Sequence, residues 1–287
     1  MFNSKPISRE ARAVITGAGS GIGRAFSLEL AGRGGEVLCA DINLTSAKAT
    51  AADIRKAGGS AWATTCDVTD LAAVEALAQT AKDRFGQPAN LIINNAGIGT
   101  GGRPIGETSM DDWKATLDIN LWGVIYGCHV FTPQLRQAGR GGIINVGSTA
   151  SFAAAPLMGP YNVSKAGVLA LSETLAAELA GTRVNVCALC PTFVKTNIVK
   201  DGRISGEQSK LASRVMAWTG VSADGVVLAA LKALDKGQLY VMPQLDARTV
   251  WRMKRYAPAG YLQGTRLVSR LMSRNAKTAG KGEPDAA

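Results

Sequence analysis

Histidine and cysteine are scarce in this sequence of 287 residues, which has one histidine and five cysteines. His129 lies in a predicted helix, far in sequence from any nucleophile signature, so we expect neither a Ser-His-Asp site nor a multi-histidine metal site. An odd number of cysteines in a chain of this length does not make a disulfide framework. Cys187 and Cys190 form a CxxC pattern, but residues three apart on a predicted strand point to opposite faces. We therefore predict reduced, mostly buried thiols and no metal.

Long hydrophobic runs are also missing from the sequence. No run of about 18 apolar residues occurs, and residues 1–9 lack the apolar core of a signal peptide. With 46% hydrophobic and 19% charged residues, the chain can bury one sizeable core. We therefore expect a cytoplasmic protein with a single α/β domain over residues 11–245, preceded by a short extension, residues 1–10.

The sequence does contain a glycine-rich turn between a short apolar strand and a helix. Residues 13–16 read AVIT, residues 17–23 read GAGSGIG, and a helix is predicted over residues 24–32. Glycines allow a tight turn and the close approach of a pyrophosphate, while the helix N-terminus supplies free amides and a positive dipole end. A merely flexible loop is the poorer explanation, because the turn lies between a strand and a helix.

An acidic residue follows the second predicted strand. Asp41 comes directly after residues 36–40 and 18 residues after Gly23. A carboxylate there accepts hydrogen bonds from adenosine ribose hydroxyls and repels a 2′-phosphate, which favours NAD over NADP. Positions 42 and 43 hold neither arginine nor lysine, in agreement with this preference. The alternative role for Asp41 is helix capping.

A tyrosine and a lysine four residues apart open a later predicted helix. Tyr161 and Lys165 precede apolar residues at helical spacing over 166–179, and they follow a predicted buried strand, 142–147, that leads into Ser148. Side chains four apart on a helix lie about 5–6 Å apart at Cβ. A nearby ammonium is expected to lower the pKa of a phenol, ordinarily about 10, towards the range of a proton acceptor. The alternative is an ordinary pair of residues at a core edge and a solvated face.

Taken in order, these motifs resemble the short-chain dehydrogenase/reductase family over nearly all of residues 11–243. The matching motifs are TGxxxGxG at 16–23, NNAG at 94–97, the serine after the strand 142–147, and YxxxK at 161–165. The resemblance implies a doubly wound parallel sheet of seven strands, of Rossmann type, in a single domain with a basic helical C-terminal extension.

The same resemblance implies which residues form the site. The expected catalytic residues are Ser148, Tyr161, Lys165 and Asn120, where Ser148 binds the substrate oxygen, Lys165 also binds the nicotinamide ribose, and Asn120 holds a water that links Lys165 to solvent. The expected NAD contacts are Gly17, Ser20, Gly21, Ile22, Gly23, Asp41, Asp67, Val68, Asn94, Ala96, Gly97, Tyr161, Lys165, Pro191, Val194 and Thr196. One departure occurs at Thr192, which replaces a glycine usual in the family, so the backbone there is expected to differ.

The implied activity is the NAD(H)-dependent interconversion of a secondary alcohol and a ketone. Small and apolar residues over 149–158, together with Trp218, predict a bulky hydrophobic substrate, and residues 197–220 are predicted to form a lid. Two alternatives remain open. One is a dinucleotide-sensing binding protein that has lost turnover. The other is a sugar-nucleotide epimerase or dehydratase, which would be expected to have a longer substrate domain.

The C-terminal segment, residues 246–287, is strongly basic. Nine basic and three acidic residues give it a net charge of +6 out of +10 for the chain. A basic amphipathic helix is predicted over 261–274, and such a helix can lie on an anionic membrane, pack on a sister subunit or cover the site. Nucleic acid is not an expected partner, because no recognition motif accompanies the charge. By resemblance we expect a homodimer or homotetramer.

Overall fold

The structure is a computed structural model that describes residues 5–194, 202–204 and 220–279. Its strands are β1 (Arg12–Thr16), β2 (Glu36–Asp41), β3 (Ser60–Thr65), β4 (Leu91–Asn94), β5 (Thr100–Gly101), β6 (Arg140–Val146), β7 (Arg183–Leu189), β8 (Arg203–Ile204) and β9 (Tyr240–Val241). Its α-helices are α1 (Gly21–Gly32), α2 (Leu44–Lys56), α3 (Leu71–Phe85), α4 (Met110–Leu117), α5 (Gly123–Ala138), α6 (Ala150–Ala153), α7 (Gly159–Glu178), α8 (Ala223–Asp235), α9 (Leu245–Tyr256) and α10 (Pro258–Ala279).

Seven of the strands form one parallel sheet in the order β3-β2-β1-β4-β6-β7-β9. The chain builds outward from β1 to β3 and then returns to place β4 on the other side of β1. Open α/β sheets bind their ligands at the carboxyl ends of the strands beside such a reversal. The predicted doubly wound, seven-stranded, Rossmann-type sheet is therefore confirmed.

Successive residues of a strand point to opposite faces of the sheet. Both faces of this sheet are apolar, and helices cover both. Ile15 and Ile93 belong to the apolar cluster that includes residues of α1, α2 and α8. Val14 and Ile92 belong to the cluster on the other face, formed with α3, α5 and α7. All four side chains are buried, which explains why the strands read as continuous apolar runs in the sequence.

Two helix starts follow the expected capping chemistry. The side chain of Ser109 accepts a hydrogen bond from the backbone N–H of Asp112 at 3.1 Å and so caps α4. Asp70 caps α3 through a bond of 3.0 Å from the N–H of Ala72. Both caps satisfy N–H groups that have no partner within the first turn of a helix.

Several boundaries differ from the sequence expectations. Residues 149–158, from which a bulky hydrophobic substrate was expected, contain the one-turn helix α6. The C-terminal helix is longer than the predicted 261–274, and α9 was not predicted at all. Gln244 precedes α9 without a side-chain cap, so the sequence gives no start signal there. Within the described ranges, no helix is both long enough and apolar enough to cross a bilayer.

Candidate active site

The glycine-rich turn between β1 and α1 has the shape of a phosphate cradle. Gly17 has φ +63°, and a Cβ at Gly23 would lie only 2.1 Å from the carbonyl oxygen of Gly17, so neither position suits a side chain. Ser20 occupies the N-cap of α1, yet its hydroxyl makes no capping bond to the helix. The backbone amides of the first turn, including that of Ile22, and this hydroxyl are therefore placed to receive an anion.

Two residues that were not predicted as site residues hold this turn in place. The amide nitrogen Nδ2 of Asn95 donates to the carbonyl oxygens of Thr16 and Gly17, at 2.9 and 3.2 Å. The hydroxyl of Thr16 in turn accepts from the N–H groups of Asn95 and Ala96, at 3.0 and 3.1 Å. Thr16 lies in the TGxxxGxG motif and Asn95 in the NNAG motif, but the sequence does not show that they bind each other.

Asp41 is partly buried at the carboxyl end of β2, beside the glycine-rich turn. One carboxylate oxygen accepts from the N–H of Gly19 and the other from the N–H of Asn43, each at 2.9 Å. Asn43, and not Asp41, caps α2. Each carboxylate oxygen keeps a further lone pair, which fits a group that binds ribose hydroxyls.

The adjacent loop after β3 is fixed by a short polar contact. The Asp67 carboxylate accepts from both the N–H and the hydroxyl of Thr69, at 2.9 and 2.8 Å. Val68 is buried, and a Cβ added to Gly123 of α5 would lie 2.8 Å from it. This close packing places the loop against α5, at the same edge of the sheet as Asp41.

Asn94 has a buried side chain that points away from this edge. Its Nδ2 donates to Oδ1 of Asn145 at 2.8 Å, and Asn145 donates to the hydroxyl of Ser172 in α7 at 3.0 Å. All three residues are less than 5% exposed. We therefore expect any cofactor contact of Asn94 to come from its main chain, with the side chain joining the sheet centre to α7.

The four expected catalytic residues come together at the carboxyl end of β6. Lys165 is 3% exposed and its ammonium donates to the carbonyl oxygen of Val146 at 2.9 Å. The same Nζ lies 5.8 Å from the ring centroid of Tyr161. A Cβ added to Gly97 would lie 3.0 Å from Oδ1 of Asn120 and 3.5 Å from that Nζ. The loop after β4 therefore packs against both Asn120 and Lys165.

Asn120 is fully buried within a π-helical turn, Asp118–Trp122, between α4 and α5. Its side chain accepts from the N–H of Ile98 at 2.8 Å, and it donates to the carbonyl oxygen of Ile98 at 2.9 Å and the hydroxyl of Ser164 at 3.3 Å. Single π-turns inside helices occur frequently at functional sites. The hydrogen bonds that Asn120 makes to the loop after β4 offset the low helix propensity of asparagine.

The ionisation of Tyr161 differs from the sequence expectation. Burial raises the pKa of Tyr161, and a side-chain hydrogen bond with Ser148 opposes that rise. Burial also lowers the pKa of Lys165 to about 8. For the protein chain alone, the pKa of Tyr161 therefore lies above its usual value and not below it as expected, because the phenol is buried.

Ser148 is partly buried at the entrance to α6. Its hydroxyl accepts from the N–H of Ala150 at 3.2 Å, and its own N–H donates to the hydroxyl of Ser151 at 3.3 Å. Cys190 is buried directly behind this segment, with Sγ 4.0 Å from the Ser151 hydroxyl. Desolvation raises the pKa of Cys190 to about 11, so this thiol is protonated at neutral pH.

The structure describes only some of the residues expected to contact the substrate and only some of the NAD contacts expected after β7. Phe152 is buried edge-to-face against Trp251 of α9, with ring centroids 5.1 Å apart, so it packs on the C-terminal segment. Pro191 and Val194 are buried in the loop after β7. Thr196 lies outside the described residues, as do Trp218 and all of the predicted lid except residues 202–204 and 220.

The described ranges also hold a surface cavity and five buried thiols. A surface cavity of about 360 Å³ lies between α8, β9 and α9, with Lys232, Lys236 and Arg248 at its wall, away from the catalytic residues. All five cysteines are buried and free, including both members of the CxxC pattern. No group of three or more His, Cys, Asp and Glu side chains in the described ranges could hold a metal ion.

The fold and the site together define a Rossmann-type dinucleotide-binding protein with a buried tyrosine and lysine. A family model for short chain dehydrogenases matches residues 11–205. The chain belongs to the short-chain dehydrogenase/reductase family.

Individual relatives agree with this family. The 1-deoxy-11-beta-hydroxypentalenate dehydrogenase of Streptomyces exfoliatus is 34% identical over 239 residues, covering 82% of this chain and 84% of that protein. The probable oxidoreductase EphD of Mycobacterium tuberculosis is 34% identical over 268 residues, covering 90% of this chain. The present chain spans only 44% of the length of EphD.

Two solved structures share the fold and contain different cofactors. A short-chain dehydrogenase/reductase from Burkholderia phymatum, in complex with NAD, has a TM-score of 0.82 and 32% identity, covering 89% of this chain and 95% of that one. A short-chain dehydrogenase from Sphingobium yanoikuyae, in complex with NADPH, has a TM-score of 0.73 and 28% identity, covering 88% and 94%.

Proposed function

We propose that the protein is an NAD(H)-dependent oxidoreductase that interconverts a secondary alcohol and a ketone. The observation that carries this proposal is the buried Tyr161–Lys165 pair beside Ser148, at the sheet edge that also holds the glycine cradle and Asp41. Proton transfer and cofactor binding would then occur at the same edge of one sheet. A bound nicotinamide cofactor would supply or accept the hydride.

The chain's own residues would handle the proton. In oxidation the phenolate of Tyr161 takes the proton of the substrate hydroxyl, and in reduction the phenol returns it. Ser148 orients the substrate oxygen by a hydrogen bond. Lys165, held by the carbonyl oxygen of Val146, favours the phenolate and binds the nicotinamide ribose. Asn120, fixed by Ile98 and Ser164, lies beside Lys165 and is proposed to hold the water that connects it to solvent.

The cofactor cradle fits a dinucleotide. Gly17, Ser20, Gly21, Ile22 and Gly23 would surround the pyrophosphate, since a Cβ at Gly23 would meet the backbone and the Ser20 hydroxyl makes no capping bond. The further proposed contacts are Asp67, Val68, Asn94, Ala96, Gly97, Pro191, Val194 and Thr196.

NAD is proposed over NADP because Asp41 presents a carboxylate where the adenosine ribose would lie. The two solved relatives contain NAD and NADPH respectively, so family membership alone does not decide between the cofactors. The test compares both cofactors with wild type and Asp41→Ala. We expect wild type to prefer NAD, and the variant to lose most of that preference. A wild type that prefers NADPH would contradict the role given to Asp41.

A bulky hydrophobic substrate is proposed from the small and apolar residues 149–158 and from the relative named for hydroxypentalenate. The experiment is a panel of steroid, terpenoid, aromatic and polyol alcohols, followed by NADH absorbance. Activity confined to small polar polyols would contradict this substrate class. Cofactor binding without turnover on the whole panel would favour the dinucleotide-sensing alternative.

Homo-oligomerisation is proposed through the exposed apolar residues near α5 and on α7. Trp122 and Val163 are 47% and 49% exposed, and Trp122 packs on Tyr126 with ring centroids 5.7 Å apart. Aromatic residues on an outer face are typical of subunit contacts. We expect a dimer or tetramer by light scattering, and a Trp122→Glu variant shifted towards monomer.

For a protein expected in the cytoplasm, peripheral membrane contact is proposed from the helices α9 and α10. Their exposed basic side chains are Arg248, Arg252, Lys254, Arg255, Arg266 and Arg270, and Leu262 and Leu267 are exposed among them. The predicted contact over residues 261–274 would bind anionic lipid. We expect wild type to co-sediment with phosphatidylglycerol vesicles and an Arg252→Glu/Arg266→Glu/Arg270→Glu variant to remain in solution. Equal partitioning of the two proteins would contradict membrane contact.

A further inference from the structure

The loop after β7 lies between the catalytic segment and the start of α9. The carbonyl oxygen of Pro191 accepts from the N–H of Thr149, the residue after Ser148, at 2.8 Å. The N–H of Val221 donates to the carbonyl oxygen of Phe193 at 3.2 Å. This loop, residues 191–194, therefore borders the catalytic half of the sheet edge, whereas Asp41 and the glycine cradle border the adenosine half.

The side chain of Gln244 pairs with this loop as a neighbouring strand would. Its Oε1 accepts from the backbone N–H of Thr192 at 3.2 Å, and its Nε2 donates to the carbonyl oxygen of Phe193 at 3.3 Å. The side-chain amide of Gln244 thus binds the backbone N–H of one loop residue and the backbone carbonyl oxygen of the next. The loop cannot rotate about its own axis without breaking at least one of these bonds.

Asp246 adds a third contact at the residue that departs from the family pattern. The hydroxyl of Thr192 donates to Oδ1 of Asp246 at 3.2 Å. Because a glycine has no side chain, the usual family residue could not make this bond. The replacement at Thr192 therefore has a partner in the C-terminal segment of the same chain.

The start of α9 is itself firmly attached to the body of the molecule. Ala247 is fully buried, and the Arg248 guanidinium donates to the carbonyl oxygen of Met242 at 2.8 Å. Further along α9, Trp251 packs edge-to-face on Phe152 in the turn after Ser148. The helix thus contacts the 191–194 loop at its first turn and the catalytic turn near its middle.

We propose that Gln244 and Asp246 are positioning residues that set where the nicotinamide ring lies relative to Tyr161 and Ser148. This inference rests on the proposed function, because it takes the cofactor to span the sheet edge from Asp41 to the catalytic residues. Gln244 and Asp246 fix the 191–194 loop, and this loop borders the redox end of the cofactor. Neither residue lies near the adenosine half, so their influence is confined to one end of the dinucleotide.

The experiment compares two ligands that differ only at that end. NADH carries the nicotinamide, while ADP-ribose retains the adenosine, the pyrophosphate and the second ribose. Affinities for both are measured by calorimetry with wild type, Gln244→Leu and Gln244→Glu. Gln137→Leu, an exposed glutamine of α5, is the matched control. Melting temperatures of all four proteins establish that the variants are folded.

We expect Gln244→Leu to bind NADH about 3- to 10-fold more weakly, as the loss of one or two net hydrogen bonds predicts, and to bind ADP-ribose within about twofold of wild type. Gln244→Glu keeps an acceptor for the Thr192 N–H but sets a carboxylate oxygen against the carbonyl oxygen of Phe193, so it should weaken NADH binding at least as much as Gln244→Leu. Unchanged NADH affinity in a folded Gln244→Leu protein, or an equal loss for both ligands, would overturn the inference. A wild type that binds neither ligand would instead overturn the proposed function, on which the inference rests.

A second pair of variants tests the Thr192 contact independently. Thr192→Ser keeps the hydroxyl that reaches Asp246, and Thr192→Val removes it with little change in shape. We expect Thr192→Ser to keep wild-type NADH affinity and Thr192→Val to weaken it by about twofold to fivefold, with ADP-ribose unaffected in both. Equal NADH affinities for the two variants would contradict a positioning role for the Thr192–Asp246 bond.

Discussion

At the scale of single residues, the site depends on an ammonium group that is almost completely removed from water. Lys165 is 3% exposed, and its hydrogen bond to the carbonyl oxygen of Val146 only partly replaces hydration. Burial accordingly lowers its pKa to about 8, so the charge is mostly retained at pH 7. A proton acceptor such as Tyr161 needs that charge nearby when it is ionised.

This lowered pKa predicts a dependence of stability on pH. Between about pH 8 and the ordinary lysine pKa of 10.5, the unfolded state binds a proton at Lys165 that the folded state lacks. Stability of wild type should therefore rise with pH in this window, by at most about 1.4 kcal/mol per pH unit, relative to a Lys165→Met variant. The measurement is the difference in unfolding free energy between the two proteins from pH 7 to pH 10.

The comparison with the variant is necessary because other groups titrate in the same range. Burial raises the pKa of the Cys39 and Cys66 thiols to about 11, so they stay protonated in the folded state and oppose the effect of Lys165 as pH rises. Subtracting the Lys165→Met curve removes this shared contribution. A difference that stays flat from pH 7 to pH 10 would show that Lys165 keeps its ordinary pKa.

Residue types could be assigned from the sequence more reliably than residue contacts. The motif positions of Ser148, Tyr161, Lys165 and Asn120 could be read directly, and the structure brings them together. The direction of the Tyr161 pKa could not, because it depends on how much water the folded site excludes. The bond between Asn95 and Thr16 joins residues 79 apart, and such pairings follow only from the fold.

At the scale of elements, close approach between helices and strands decides where glycine is needed. In α5, a Cβ added to Gly127 would lie 2.0 Å from Oδ1 of Asn94, inside the buried network that joins β4 to α7. In α10, a Cβ added to Gly260 would have no neighbour within 4 Å. Replacing these two glycines with alanine is therefore expected to have opposite effects on stability.

Gly127→Ala should destabilise the protein by about 1–3 kcal/mol, since the new methyl group must displace Asn94 from its buried hydrogen bonds. Gly260→Ala should be neutral or stabilising by up to about 1 kcal/mol, because alanine favours a helix where there is space. Unfolding by urea measures both. A Gly127→Ala protein as stable as wild type would contradict the close packing of α5 on β4.

The elements that the sequence failed to predict are those without local signals. Helix α9 has a polar composition and follows Gln244, which does not cap it, so nothing in the sequence marks its start. Its position comes from distant contacts, such as Trp251 on Phe152. Strands β1, β2, β6 and β7 were predicted because buried parallel strands leave continuous apolar runs.

At the scale of the whole molecule, the order of the strands explains how distant motifs form one site. The strands are parallel, so the carboxyl ends of β1, β2, β4, β6 and β7 lie at one edge, and the strand order changes direction between β1 and β4. The cradle and Asp41 lie on one half of that edge, and the catalytic residues lie on the other. Strand order could be anticipated from the family resemblance, whereas composition and periodicity alone predict only alternating strands and helices.

The central claim is that Tyr161 transfers a proton beside a bound nicotinamide, and Tyr161→Phe tests it most directly. The variant keeps the buried ring and removes only the hydroxyl, so it should still bind NADH, more weakly by no more than about tenfold for one lost hydrogen bond to the cofactor. With an alcohol that wild type oxidises, we expect the rate of NADH formation to fall at least about 100-fold, the range typical of a lost general base. An undiminished rate in a folded Tyr161→Phe protein would contradict the account.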